Sequence, residues 1–377
     1  MLASLLNRVR HSRIGLPGGF LAGAILLSVA ALPTQAAIKP PVPDTAVASG
    51  AAAIAPLPVG SPAPLVPPIP GTQASSQLRW VYVVGNTVPQ SLRDHADQID
   101  VISPQWFRAD ANGKLQGNDA PAVTQFARAH GIKVVPIVAN GQFSEGVAHS
   151  LLSDGNRQTT LLDGLQWLMQ NFGYDGVNID FENVSQGDRD GFSALMSNVY
   201  ARLHPMGKLV TAALPSKTHE TFSGFSGPFD YTALAPNLDL ALIMAYDQHY
   251  SGGPAGPIAD VAWVSDVINF AKTEIPPSKI LLGLPFYGYS WGPGGTRAMS
   301  YSDIVNAVFA NGVQIQMDAA SQSPTFSYAG RQVWFENSTS LKAKLNLVGN
   351  NGLAGWGGWR LGQEDPNFWT VVAGRQP

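Results

Sequence analysis

The stretch with the most chemical content is YDGVNIDFENV, residues 174–184. Side chains on a strand alternate, so Asn178, Asp180 and Glu182 share one face while Val177, Ile179 and Phe181 share the other. Two carboxylates two positions apart on that face have Cα atoms about 6.5–7 Å apart. Like charge at that range, with partial burial, raises one pKa and keeps a protonated acid near neutral pH. Glu182 is the last and longest of the three, which makes it the proton donor. Asp180 below it would orient and stabilise rather than attack. Acids on a solvated strand end would not alternate so strictly with apolar residues.

Such a strand needs a scaffold with both faces covered. From Leu78 onward, short apolar runs alternate with amphipathic stretches. The strand-like runs are 78–85, 99–107, 133–139, 175–182, 208–216, 238–247, 279–291 and 352–362, several of them nearly continuous in Val, Ile, Leu and aromatics. Helical periodicity falls between them at Asp119–His130, Thr159–Phe172, Asp188–His204, Ile258–Glu274 and Ser338–Val348, with Glu364–Ala373 after the last. Eight strands alternating with helices over about 300 residues is the count for a (β/α)8 TIM barrel, an α/β fold. The apolar trio would face the helices and the polar trio the barrel interior, climbing toward the C-terminal mouth where active sites sit. After the seventh strand, Gly292–Asn337 has its own apolar periodicity and reads as a small insertion on the rim. A doubly wound open sheet is the alternative, but no Gly-rich phosphate fingerprint follows the first strand.

Composition narrows the function class further. The 377 residues include no Cys, which excludes disulfides, Cys-ligated zinc and a cysteine nucleophile. A net charge of −3 lacks the basic footprint of a nucleic-acid binder. Arg8, Arg10 and Arg13 precede an apolar run from Phe20 to Leu32, too short to span a bilayer and the size of a signal-peptide core. Residues 1–37 are therefore expected to be a cleaved export signal, leaving no stable membrane insertion. The 40 residues 38–77 include ten Pro and read as a Pro/Ala-rich linker, and 78–377 as the catalytic barrel. The expected location is exported: periplasmic, wall-associated or secreted.

The run DGVNIDFE resembles the DxxDxDxE signature of glycoside hydrolase family 18, with Asp175, Asn178, Asp180 and Glu182 at its four motif positions. Residues 244–264, 279–291, 333–340 and 358–365 resemble, in the same order, a bacterial branch of spore-cortex-lytic type N-acetylglucosaminidases. The resemblance implies a retaining hydrolase of β-1,4-linked N-acetylglucosamine glycans, peptidoglycan favoured, in which the substrate's own acetamido oxygen attacks the anomeric carbon. It implies that Glu182 protonates the glycosidic oxygen and then activates water. Asp180 would hold the acetamido N–H and Tyr246 the acetamido oxygen. Asp175, Asn178, Met244, Asp247, Tyr287 and Trp359 would contact substrate, with Trp359 as the floor beneath the reacting sugar. Asn178 departs from the Asp more common at its position; an amide cannot store a proton and should favour ionised Asp180.

Among weaker signals, Trp106, Tyr287, Trp291, Trp356 and Trp359 fall at expected C-terminal strand ends, where a glycan cleft needs platforms. GYSWG at 288–292 matches a nucleophile-elbow pattern, but Gly292-Pro293-Gly294-Gly295 follows where a helix is required. The seven His are scattered without metal-site spacing, so no metal or cofactor is expected. The expected protein is a monomeric glycosidase. A chitinase acting on chitin oligomers, or a non-hydrolytic lectin-like barrel, is the alternative.

Overall fold

The computed structural model describes residues 77–374. The export signal and nearly all of the linker lie outside them. The barrel strands are β1 (Leu78–Val83), β2 (Val101–Pro104), β3 (Lys133–Val134 and Ile137–Asn140), β4 (Gly176–Asp180), β5 (Leu209–Pro215), β6 (Leu240–Met244), β7 (Ile280–Pro285) and β8 (Gly355–Trp359). Neighbours pair in parallel all the way round, β8 closing against β1. Pro136 interrupts β3 because it has no N–H to donate. Pairing continues through it nonetheless: Val135 N–H donates to the Ile102 carbonyl at 3.0 Å, and Asn178 N–H to the Pro136 carbonyl at 2.9 Å.

Two apolar layers hold the barrel. Inside it, Trp80, Tyr82, Val101, Ile137, Leu242 and Leu281 fill the interior. Outside, Val177, Ile179 and Phe181 are fully buried against the helices, the face the alternation predicts. Local signals set the helix ends: Asp154 caps helix Gly155–Phe172, which Gly173 ends in the left-handed conformation, and Asp260 caps Val261–Glu274. At the barrel base one device recurs. Asp100, Asp175 and Asp239 stand just before β2, β4 and β6, and each carboxylate accepts the N–H of a residue on the preceding strand: Arg79 at 2.8 Å, Val134 at 2.8 Å and Val210 at 2.7 Å.

The insertion after β7 begins earlier than the sequence suggests. The run 279–291 is two strands, β7 and Tyr287–Trp291, and the second leaves the barrel for a five-stranded sheet with Arg297–Ser300, Arg331–Phe335, Ser323–Tyr328 and Gln316–Asp318. Both runs are apolar and β-prone, so only Phe286 between them marks the change of sheet. Helix Tyr301–Asn311, started by a Ser300–Asp303 capping box, covers the sheet over a small core of Met299, Ile304, Phe326, Val333 and Phe335. A second departure is the hairpin Phe107–Ala109 with Leu115–Gly117, whose first strand pairs with the upper half of β3.

Candidate active site

Strand β4 points Asn178 and Asp180 into the barrel, both buried, and Glu182 follows just past its end, half-buried at the mouth. Asn140, at the end of β3, holds that end in place: its Oδ1 accepts the Glu182 N–H at 2.9 Å and its Nδ2 donates to the Glu182 carbonyl at 2.8 Å. Below, the Asn178 amide donates to Thr211 Oγ1 at 2.9 Å, and that hydroxyl donates to the Val177 carbonyl at 3.0 Å. Asp180 Oδ1 is buried with no hydrogen-bond partner in the protein, and the Tyr82 hydroxyl lies against the Asn178 amide. A buried carboxyl oxygen left unspent on the pocket floor is poised for a group brought from outside.

Burial sets the electrostatics. It pushes the Asp180 carboxyl up to about 7, against the ionised form expected beside Asn178, whose amide is turned to Thr211 instead. Glu182 is pushed up to about 8, by burial first and then by the charges of Asp180 and Asp247. The two titrate as a pair, and near neutrality the pair retains a proton. Burial, reinforced by Tyr82, Asp180, Asp247 and Glu182, keeps the Tyr246 phenol protonated. Asp247 follows in the left-handed conformation, φ +57°, which Asp tolerates better than bulkier residues. There it accepts hydroxyls from the insertion's first strand, Tyr287 at 2.5 Å and Tyr289 at 3.3 Å. Burial raises Asp247 and those two phenols oppose the rise.

Aromatic rings line the rest. Trp359 at the end of β8 lies 5.3 Å from the Tyr82 ring, and Tyr246 meets Tyr287 edge-on at 6.3 Å. Tyr287, Tyr289 and Trp291 form a buried apolar patch that also touches Tyr246 and Trp359. Gly283 on β7 makes the space: a Cβ there would lie 2.9 Å from the Tyr246 ring and 2.5 Å from the Ile243 carbonyl. Met244 packs beneath, against the interior apolar cluster.

The structure thus brings Asn178, Asp180, Glu182, Met244, Tyr246, Asp247, Tyr287 and Trp359 to one end of the barrel. It does not bring Asp175 there. That side chain stands at the opposite end of β4, bonded to Val134 N–H with Lys133 Nζ 4.0 Å away, and holds strands together instead of touching substrate. Trp356 is also displaced from its expected role: it is buried among Phe286, Phe368 and Trp369 on the helix side of β8. Asn140, Thr211, Gly283 and Tyr289 were not singled out by sequence reasoning. A lone Asn directly after the apolar run 133–139 was the one signal available for the first.

A closed parallel barrel with proton-sharing carboxylates at its C-terminal mouth, walled by aromatics, is a sugar-cleaving site of the glycosidase class. The chain belongs to the glycosyl hydrolases family 18, whose family model matches residues 79–364, and it is a glycoside hydrolase. The cortical fragment-lytic enzyme of Bacillus subtilis (strain 168) is 28% identical over 305 residues, 77% of this chain and 71% of that protein. The crystal structure of the Bacillus cereus spore cortex-lytic enzyme SleL aligns with TM-score 0.72 at 26% identity, covering 80% of this chain and 75% of that one. A chitinase from Chromobacterium violaceum ATCC 12472 aligns with TM-score 0.73 at 28% identity, covering 80% and 99%.

Proposed function

We propose that this hydrolase cuts the β-1,4 bond beside an N-acetylated amino sugar in peptidoglycan, with retention and with help from the substrate. The observation that carries the reading is the pair of buried Asp180 and half-buried Glu182, holding a proton at neutral pH beside the protonated Tyr246 phenol. Glu182 gives its proton to the glycosidic oxygen as the C–O bond breaks. The 2-acetamido oxygen closes on the anomeric carbon, forming an oxazolinium ion, with its N–H held by Asp180 and its oxygen by Tyr246. The Glu182 carboxylate then takes a proton from water, whose oxygen adds to the anomeric carbon and reopens the ring. Asp247 and Tyr287 contact the sugar, and Trp359 offers a flat face to the pyranose C–H groups. Peptidoglycan is favoured by the likeness to cortex-lytic enzymes.

Residues 1–37 are, in this reading, an export signal, and 38–77 a spacer that carries a monomeric barrel to the wall. Product analysis by mass spectrometry tests the function, with purified peptidoglycan and chitin oligomers as separate substrates and Glu182→Gln alongside. Reducing N-acetylglucosamine ends that vanish in the variant are expected. Since general acid catalysis contributes about 10²–10⁴-fold, the variant should lose at least that turnover while binding glycan. Reducing N-acetylmuramic acid ends would make the protein a muramidase, and products from chitin alone a chitinase. Binding without products would leave a lectin-like barrel.

A further inference from the structure

We propose that Arg108, at the barrel mouth two strands from Asp180, is a specificity residue that pairs with a carboxylate carried on the glycan. The inference rests on the reading above and deepens it. Peptidoglycan carries carboxylates on its peptide stems, or on its lactyl ethers where stems have been removed, and chitin carries none. Strand register joins Arg108 to the site. It lies opposite Ala139 on β3, and Ala139 lies opposite Asp180 on β4. Side chains paired across parallel strands share a face, so the three form one row, and two strand spacings put the Cα of Arg108 about 10 Å from that of Asp180. Ala139 belongs to the interior apolar cluster, and Asp180 is the buried acid of the site. On either side of Arg108, Phe107 and Ala109 are buried in the outer core, Phe107 against Phe172 and Tyr174. Alternation therefore turns Arg108 to the mouth, where it is exposed.

Among the described residues no group uses that charge: Arg108 makes neither an ion pair nor a side-chain hydrogen bond. Asp110, two residues on along the strand, is spent on its own turn. Its Oδ1 accepts the N–H groups of Asn112 at 2.9 Å and Lys114 at 3.0 Å, and its Oδ2 the Gln116 amide at 3.4 Å. Lys217 and Arg189, by contrast, are both ion-paired with Glu220, and Arg189 also with Asp230. The hairpin that carries Arg108 is closely packed. A Cβ on Gly113 would lie 2.1 Å from the Arg157 carbonyl, and one on Gly117 2.0 Å from the Trp106 carbonyl. A guanidinium on a strand fixed in this way loses little freedom when it binds. Its charge also answers a need of the site. Asp180, Glu182 and Asp247 gather three carboxyls at the mouth, so an anionic strand meets like charge there. A guanidinium on the rim offsets that repulsion and donates two N–H groups to one carboxylate.

The test uses the full-length protein and soluble peptidoglycan strands, with stems intact or removed by an amidase, each also with its carboxylates converted to methylamides. Arg108→Gln should lower kcat/KM on the carboxylate-bearing strands about three- to tenfold, chiefly through KM, the range between an exposed ion pair and a bidentate one. On the methylamide strands it should match wild type. Arg108→Lys should recover part of the loss. Arg297→Gln, which removes an exposed charge on the insertion, should cause none. A loss confined to stem-bearing strands assigns the carboxylate to the peptide, and a loss on stripped strands assigns it to the lactyl ether. A loss below threefold on both, or one that persists on the methylamides, would overturn the proposal while the function stands. A wild-type protein that cleaves none of these strands would sink the proposed function and this inference together.

Discussion

The proton shared by Asp180 and Glu182 governs two measurable pH dependences. Acid catalysis needs Glu182 protonated, so kcat/KM should fall as pH rises through about 8. Stability follows the same groups. Asp180 in the fold holds its proton up to about 7, whereas in the unfolded chain it releases it near 3.8. Between those values the folded state binds more protons, so stability is greatest below the unfolded pKa and declines until pH passes the folded one. Asp180→Asn has no proton to release, and its melting temperature relative to wild type should climb between pH 4 and pH 8. A flat difference across that range would mean Asp180 is ionised in the fold at low pH. At this scale the sequence was informative, because alternation along β4 is purely local. It was misleading for Asp175, which the motif groups with the others although seven residues of extended chain, about 23 Å, separate it from Glu182.

At the scale of elements, pairs of strands do the positioning. Asp175 fastens β4 to β3 at the base, and Asn140 fastens the same two strands at the mouth. Asp175→Ala should therefore lower stability by about 1–3 kcal/mol, the cost of leaving a backbone N–H without its acceptor. It should leave KM and kcat on soluble oligomers unchanged. Thermal melts and steady-state kinetics separate the two effects, and a raised KM at unchanged stability would return Asp175 to the substrate. Gly283→Ala should lower both stability and turnover, since its Cβ would lie 2.5 Å from the Ile243 carbonyl and 2.9 Å from the ring of Tyr246. Strands and helices were largely legible because their periodicities differ. The split of 279–291 was not, since leaving one sheet for another changes neither hydropathy nor β-propensity.

For the whole molecule, the insertion is part of the site: its first strand supplies Tyr287 and Tyr289 to Asp247. Every described element belongs to the barrel, to the insertion or to their connections, and the proposed spacer precedes them all. Residues 78–377 produced alone should melt cooperatively and cleave soluble oligomers at the full-length rate. A fragment slower by more than an order of magnitude would give the preceding residues a structural part. Among the described residues no helix is long and apolar enough to cross a membrane.

The sequence by itself determined the eightfold alternation, the inward face of β4 and the order of its acids, because each depends on neighbours along the chain. Tertiary structure alone decided how those acids titrate and what surrounds them. Burial raised both carboxyls, and only barrel closure sets Tyr82, Tyr246 and Trp359, from three separate strand ends, around them.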